Sequence, residues 1–184
     1  HCHEDFGLGV ANTISALANG ASVAHVTVSA TGERAGNVPL EDTVMALKVL
    51  YGVDTGVKTE GFYELSKLVQ ELSGITIPTN RPIVGDSLYH IESGIVAMFH
   101  RRCKQVEPLE YIPFLPEVVG RPAVDVALGK GSGLANIEEH LDRRGLQATP
   151  EQANEILAQV KQTSIDGKRL LSNAEFDRIV KSIL

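Results

Sequence analysis

The segment ASVAHVTVSA, residues 21–30, constrains the fold more than any other part of this 184-residue chain. It is nearly all apolar, rich in β-branched residues and short, which is typical of a strand buried within a sheet. Helical spacing of apolar residues precedes it as far as Gly20, a typical helix stop, and resumes after Pro39. A helix, a buried strand and a second helix in succession predict an α/β fold with a parallel sheet.

The pattern changes near residue 53, after which the chain is mainly helical. Further elements are predicted from periodicity and flanking residues: helices over 60–73, 87–99 and 132–145, a strand over 123–128, and two short helices that begin near Thr149 and Ser172. We therefore expect one domain over residues 1–53 and a second, helical domain over residues 54–184.

The charge balance excludes several classes of function. Seventeen Lys and Arg residues stand against 23 Asp and Glu residues, a formal net charge of −6. Nucleic-acid and anionic-membrane binding need basic surfaces, so we expect neither partner. No apolar run approaches the ~18 residues of a membrane-spanning helix. Two cysteines exclude a disulfide-rich scaffold, and we expect free thiols in a cytoplasmic protein.

The first three residues, His-Cys-His, are the main candidate for chemistry. On an extended strand, residues i and i+2 point to the same side, so His1 and His3 could hold one divalent metal ion. The alternative is that both are ordinary polar surface residues, because an isolated pair of this spacing is a weak signal.

A second motif, TGERAGN over residues 31–37, strengthens the metal hypothesis. Glu33 and Asn37 bring oxygen donors to the end of the adjacent predicted strand. Two imidazoles with oxygen donors suit Zn²⁺, Mn²⁺, Mg²⁺ or Fe²⁺. The alternative is a polar turn in which Arg34 pairs with a surface carboxylate.

Together the motifs carry a family resemblance. HCHEDFGLGVAN, then GERAGN followed by PLEDTVMAL, resembles the last two βα units of the 2-isopropylmalate, homocitrate and citramalate synthase family. These are metal-dependent acyl-CoA Claisen condensation enzymes built on a TIM barrel. The resemblance continues through YELSKLVQELSGITIPTNRPIVG, the SGI triplet and GKGSG, and covers roughly residues 1–145.

The resemblance implies roles for named residues. His1, His3 and Asn37 match metal-binding positions, and Glu33 and Arg34 belong to the same loop, where they would bind substrate or support the metal ligands. The implied cofactor is a divalent metal, Zn, Mn or Mg. The implied substrates are acetyl-CoA and a 2-oxo acid, and the implied assembly is a cytoplasmic homodimer paired through residues 54–184. Residues 1–53 would form the C-terminal end of the catalytic (β/α)₈ barrel.

The chain also departs from the family pattern. A complete barrel needs ~250 residues, and the first six βα units, with their acidic metal ligand and arginine, are not among these residues. The chain begins at His1 rather than Met. We expect a fragment, an incomplete chain or one subunit of a split enzyme, whose partner chain would carry the N-terminal barrel half.

A further departure lies in residues 89–96, YHIESGIV. Isopropylmalate synthases have His-Glu-Ser-Gly-Ile-His here, and its first histidine reaches a neighbouring subunit's active site. Ile91 takes the place of that histidine, and His90 comes one residue early. On the predicted helix one residue is about 100° of rotation, so His90 would face elsewhere unless the helix shifts. His90 is a candidate catalytic residue or a partly buried polar one, and Tyr89 and Tyr111 are weaker candidates for proton transfer.

Two other classes of function stay open. One is a non-catalytic remnant that uses residues 54–184 for dimerisation, and the other is a carbon–carbon lyase similar to hydroxymethylglutaryl-CoA lyase. The remaining histidines predict structure rather than chemistry. We expect His25 to be packed or outward-facing, His100 to lie with Arg101 and Arg102 at a solvated helix end, and His140 to lie at the surface.

Overall fold

The computed structural model describes residues 1–184, which fold into two compact units. The first unit contains residues 1–88 and 116–123, and the second contains residues 89–115 and 124–184. The elements are helices α1 (Gly9–Ala18), α2 (Leu40–Tyr51) and α3 (Phe62–Ser73), strand β1 (His90–Ile91), helix α4 (Gly94–Cys103), strand β2 (Asp125–Val126), and helices α5 (Leu134–Asp142), α6 (Pro150–Gly167) and α7 (Asn173–Ile183). No helix combines the length and apolarity needed to cross a membrane.

Local signals set the ends of the helices in the first unit. Helix α1 begins where the Glu4 carboxylate accepts hydrogen bonds from the first amides, Gly9 N at 3.3 Å and Val10 N at 3.1 Å. Helices α2 and α3 each end at a glycine in the left-handed region, with φ of +66° at Gly52 and +71° at Gly74. Glycine adopts this conformation without a Cβ clash, so the chain can turn out of the helix.

The strand predicted over residues 21–30 is wrong for most of its length. Only Thr27 makes a bridge, parallel to Pro39, and Val28–Ala30 form a 3₁₀ turn. The backbone amide of Thr27 donates to the Val38 carbonyl at 2.9 Å. A strand is held by hydrogen bonds to a neighbouring strand, and residues 21–26 pair with no other segment of this chain. The α/β class is confirmed, whereas the assignment to two barrel units stays a prediction.

The segment around residue 90 corrects a second prediction. Residues 90 and 91 lie in β1, not in a helix, and α4 starts only at Gly94. Strand β1 runs parallel to β2, pairing Ile91 with Val126. This confirms a strand within the predicted range 123–128. The segment forms a strand rather than a helix because strand pairing buries Ile91, which is 8% exposed, against Val126 and Ala97.

The core of the second unit lies between β2, α5, α6 and α7. Helices α6 and α7 begin with complete capping boxes, Thr149 with Gln152 and Ser172 with Glu175. The buried apolar side chains form one cluster: Leu128, Ile137, Leu141, Ile156, Val160, Phe176, Ile179 and Val180. Both predicted C-terminal helices are therefore confirmed. The functional division near residue 53 stays a prediction, and that residue lies inside the first unit.

The buried carboxyl of Asp42, in the first turn of α2, should make the stability of the protein depend on pH. Burial raises the pKa of its carboxyl from 3.8 to about 7, even though Arg81 Nη2 lies 3.1 Å away and opposes the shift. Nearby Glu41 and Glu4 add to it. The folded state therefore binds a proton that the unfolded state releases between pH 4 and 7. We expect the free energy of unfolding to fall by roughly 4 kcal/mol over this range.

Urea unfolding at pH 4, 5, 6 and 7 measures this dependence. Asp42→Asn should remove most of the slope, because the amide does not titrate. An identical slope in wild type and variant would contradict the assignment to Asp42.

Candidate functional site

The histidine pair at the start of the chain converges as the spacing predicts. His1 Nε2 and His3 Nε2 lie 3.2 Å apart, and the rings meet edge to face with centroids 4.9 Å apart. His3 forms an antiparallel bridge with Asn37, so the His-Cys-His segment lies against the end of the TGERAGN loop. The two motifs, distant in sequence, are neighbours in the structure.

The backbone fixes which nitrogen His3 presents. Its Nδ1 lies 3.2 Å from the carbonyl oxygen of Gly36, which also accepts the Glu4 amide at 3.0 Å. A carbonyl can only accept, so Nδ1 carries the proton and the lone pair of the neutral ring is on Nε2. Such a hydrogen bond to the second ring nitrogen is typical of metal-ligating histidines.

Asn37 supplies the observation that tests the fit of a metal. Its side-chain amide donates to the Thr31 carbonyl at 3.3 Å, but its Oδ1 is buried with no hydrogen-bond partner. A buried acceptor without a partner costs about 1–3 kcal/mol, and a cation would satisfy it. Two imidazole nitrogens and an amide oxygen fit a divalent ion. No group of three or more His, Cys, Asp and Glu side chains forms a complete cage, so further ligands are needed.

His25 lies closer to this pair than the sequence indicated. Its ring centroid is 5.8 Å from that of His1, and the side chain is exposed, which confirms the outward-facing alternative. Consecutive elements of an α/β fold are usually neighbours in space. This rule could have indicated from the sequence that His25 lies near the histidine pair.

Arg34 and Glu33 differ in their surroundings. Arg34 makes a two-bond ion pair with Asp5, Nε to Oδ1 at 2.9 Å and Nη2 to Oδ2 at 3.0 Å. Hydrogen bonds from Arg34 hold the pKa of the Asp5 carboxyl below its usual value. The Glu33 side chain is 89% exposed. The pairing of Arg34 with a surface carboxylate, foreseen as the alternative, is therefore present, and it joins the two motifs.

His90 lies in the second unit and is exposed on β1. Side chains alternate along a strand, so His90 faces solvent while Ile91 faces the core. His90 is offset by one residue from the family's histidine position. On a strand this offset places its side chain on the opposite face of the sheet, instead of rotating it by about 100° as on a helix.

Two histidines predicted at the surface are buried, which corrects those predictions. His100 is 5% exposed, and its Nδ1 lies 2.9 Å from the Tyr111 hydroxyl. His140 is also 5% exposed, and its Nε2 contacts the Val126 carbonyl. Burial lowers the pKa of both imidazoles. Their helices face the core of the second unit, which the polar residues beside them in the sequence did not indicate.

Comparisons with known proteins agree with the motifs. Residues 1–69, which include His1, His3, Glu33, Arg34 and Asn37, match the family model described as HMGL-like. Over its whole length the chain is 45% identical to a protein of Archaeoglobus fulgidus named as an (R)-citramalate synthase. It is 40% identical to the homocitrate synthase AksA of Methanothermobacter thermautotrophicus, and 45% identical over 91% of its length to a protein of Methanopyrus kandleri named as a 2-isopropylmalate synthase.

The chain is therefore similar to these synthases over all or most of its length. The resemblance inferred from the motifs is thus confirmed. The chain spans 36% of the Archaeoglobus citramalate synthase, 33% of the Methanopyrus isopropylmalate synthase and 45% of the homocitrate synthase. All the candidate metal-binding residues lie in the part that matches the HMGL-like model.

Proposed function

We propose that this chain carries metal-binding residues of a synthase that condenses acetyl-CoA with a 2-oxo acid. The observation that carries the proposal is the convergence of His1 Nε2 and His3 Nε2, 3.2 Å apart. His3 also forms a backbone bridge with Asn37, whose Oδ1 is buried without a hydrogen-bond partner. Similarity to the relatives supports it, because they are named as synthases of citramalate, isopropylmalate and homocitrate. In this proposal residues 1–53 are the last two βα units of a barrel, and residues 54–184 pair two subunits in a cytoplasmic homodimer.

Each residue has a defined task in this proposal. His1, His3 and Asn37 hold a divalent ion, Zn²⁺, Mn²⁺ or Mg²⁺, which when bound supplies Lewis-acid polarisation of a substrate carbonyl. The Gly36 carbonyl keeps the His3 ring in one orientation. Arg34, through Asp5, holds the TGERAGN loop against the His-Cys-His segment. The Glu33 carboxylate lies 4.0 Å from Arg34 Nη1, and its side chain is exposed enough to contact substrate.

A thiol-release assay tests the function. Acetyl-CoA is incubated with the chain, a divalent metal and a panel of 2-oxo acids, and free CoA is measured. Because the chain spans 36% of the citramalate synthase, the assay is repeated with the unmatched part of that relative added as a separate polypeptide. We expect CoA release that needs metal, a 2-oxo acid and, for a split enzyme, the added polypeptide. If the chain binds metal but no CoA is released under any of these conditions, the proposed synthase activity is contradicted and the non-catalytic alternative is favoured.

We also propose His90 as a proton-transfer residue, on the ground that its imidazole is exposed one residue from the family's histidine position. In the active preparation, His90→Ala should lower kcat by about 100-fold or more, with KM little changed. Gln105→Ala, an exposed residue of the same unit, is the control. A kcat equal to that of wild type would exclude this role.

A further inference from the structure

A buried carboxylate in the first unit has no counter-ion. Glu41, in the first turn of α2, is 0% exposed, and no Lys or Arg pairs with it. Instead it accepts the backbone amide of Ser29 with both oxygens, at 2.9 and 3.0 Å. The Ser29 hydroxyl bonds to Glu41 at 3.3 Å and to the Ser66 hydroxyl at 2.7 Å. A buried carboxylate needs hydrogen-bond donors of this kind. Here both donors, the backbone amide and the hydroxyl, belong to Ser29.

Ser29 and its neighbour Ala30 need such support. Both have left-handed backbones, with φ of +55° and +60°, although neither is glycine. Such residues persist only where the surrounding structure holds them in place. Glu41 and Ser66 therefore act together as a clamp on the Ser29–Ala30 turn.

The turn controls the position of Gly36. The Ala30 carbonyl oxygen approaches Gly36 so closely that a Cβ there would lie 1.9 Å away, and Gly36 has φ of +96°. The carbonyl of Gly36 is in turn the acceptor for His3 Nδ1. A continuous series of contacts thus joins Glu41 to His3 through Ser29, Ala30 and Gly36.

We propose that Glu41 is a positioning residue that keeps the His3 ring protonated on Nδ1, with Nε2 presented to the metal, by clamping the Ser29–Ala30 turn against Gly36. The inference rests on the proposed metal site, but its structural part concerns the His3 ring alone. Loss of the clamp should let the turn relax to negative φ, move the Gly36 carbonyl away and leave His3 as a mixture of tautomers.

Two measurements test this on the full 184-residue chain. Nitrogen-15 NMR of the His3 ring at pH 8 reports which nitrogen carries the proton, and calorimetric titration with Zn²⁺ reports affinity. Zinc binding that persists in His3→Ala is subtracted as unrelated to the site. We expect Glu41→Ala and Glu41→Gln to mix the tautomers and to weaken zinc binding by about 10- to 100-fold. Asp42→Asn, which alters the same helical turn without touching Ser29, should change affinity less than threefold.

A rescue variant separates the clamp from a general loss of stability. Glycine adopts φ near +55° without strain, so adding Ser29→Gly to Glu41→Gln should restore zinc affinity to within threefold of wild type. If Glu41→Ala does not fold, the proposal is tested by comparing Glu41→Gln alone with Glu41→Gln combined with Ser29→Gly. Unchanged tautomer and affinity in Glu41→Gln, an equal loss in Asp42→Asn, or no rescue would each overturn the proposal. Absence of zinc binding in wild type with an intact Nδ1–H signal would instead count against the metal site.

Discussion

His3→Ala should abolish metal-dependent thiol release and weaken zinc binding by at least about 100-fold. A contact to the second nitrogen of a ligating histidine is itself worth 10- to 100-fold in metal affinity, so removal of the ligating ring must cost more. The variant also removes one of the two nitrogens that converge at 3.2 Å. Calorimetric titration with Zn²⁺ and the CoA-release assay measure the two effects separately.

Cys2→Ala is the matched control for this variant. Cys2 lies between the two histidines, and on an extended segment its side chain points to the opposite face. It should bind zinc and release thiol as the wild type does. Stoichiometric zinc with full activity in His3→Ala would remove His3 from the ligand set, whereas loss in both variants would indicate that the segment as a whole had been disturbed.

Gly36→Ala should lower the free energy of unfolding of the first unit by roughly 4 kcal/mol. The backbone strain of a non-glycine residue at positive φ costs about 1–2 kcal/mol. The added Cβ would also lie 1.9 Å from the Ala30 carbonyl oxygen, a backbone atom that cannot move without displacing the turn. Overpacking of this kind costs about a further 1–3 kcal/mol.

Gly20→Ala isolates the contribution of strain. Gly20 has φ of +105°, close to the +96° of Gly36, but a Cβ there would meet nothing within 4 Å. Urea unfolding should therefore show a loss of only about 1–2 kcal/mol for Gly20→Ala. Amide exchange at Glu4, whose N–H bonds to the Gly36 carbonyl, should accelerate in Gly36→Ala alone. Equal losses in the two variants would show that the contact with Ala30 contributes nothing.

The helices could be predicted because their signals are local. Glycines at positions 52 and 74 and the capping residues Thr149 and Ser172 act within one turn of the helix that they limit. The strands could not be predicted equally well, because a strand exists only with a partner. The apolar run 21–30 was predicted to be a strand but is mostly irregular. His90–Ile91 was predicted to be helical but forms a strand that pairs with Asp125–Val126.

The candidate site divides in the same way. The sequence determined by itself that His1 and His3 share a face, because that follows from the two-residue period of extended backbone. It also indicated the resemblance to the synthases, since two motifs in order are far more specific than either alone. The protonated nitrogen of His3, the buried oxygen of Asn37 and the clamp between Glu41 and Ser29 depended on the tertiary structure alone. Each is a contact between residues distant in the chain, and folding brings such groups together through packing that no local pattern encodes.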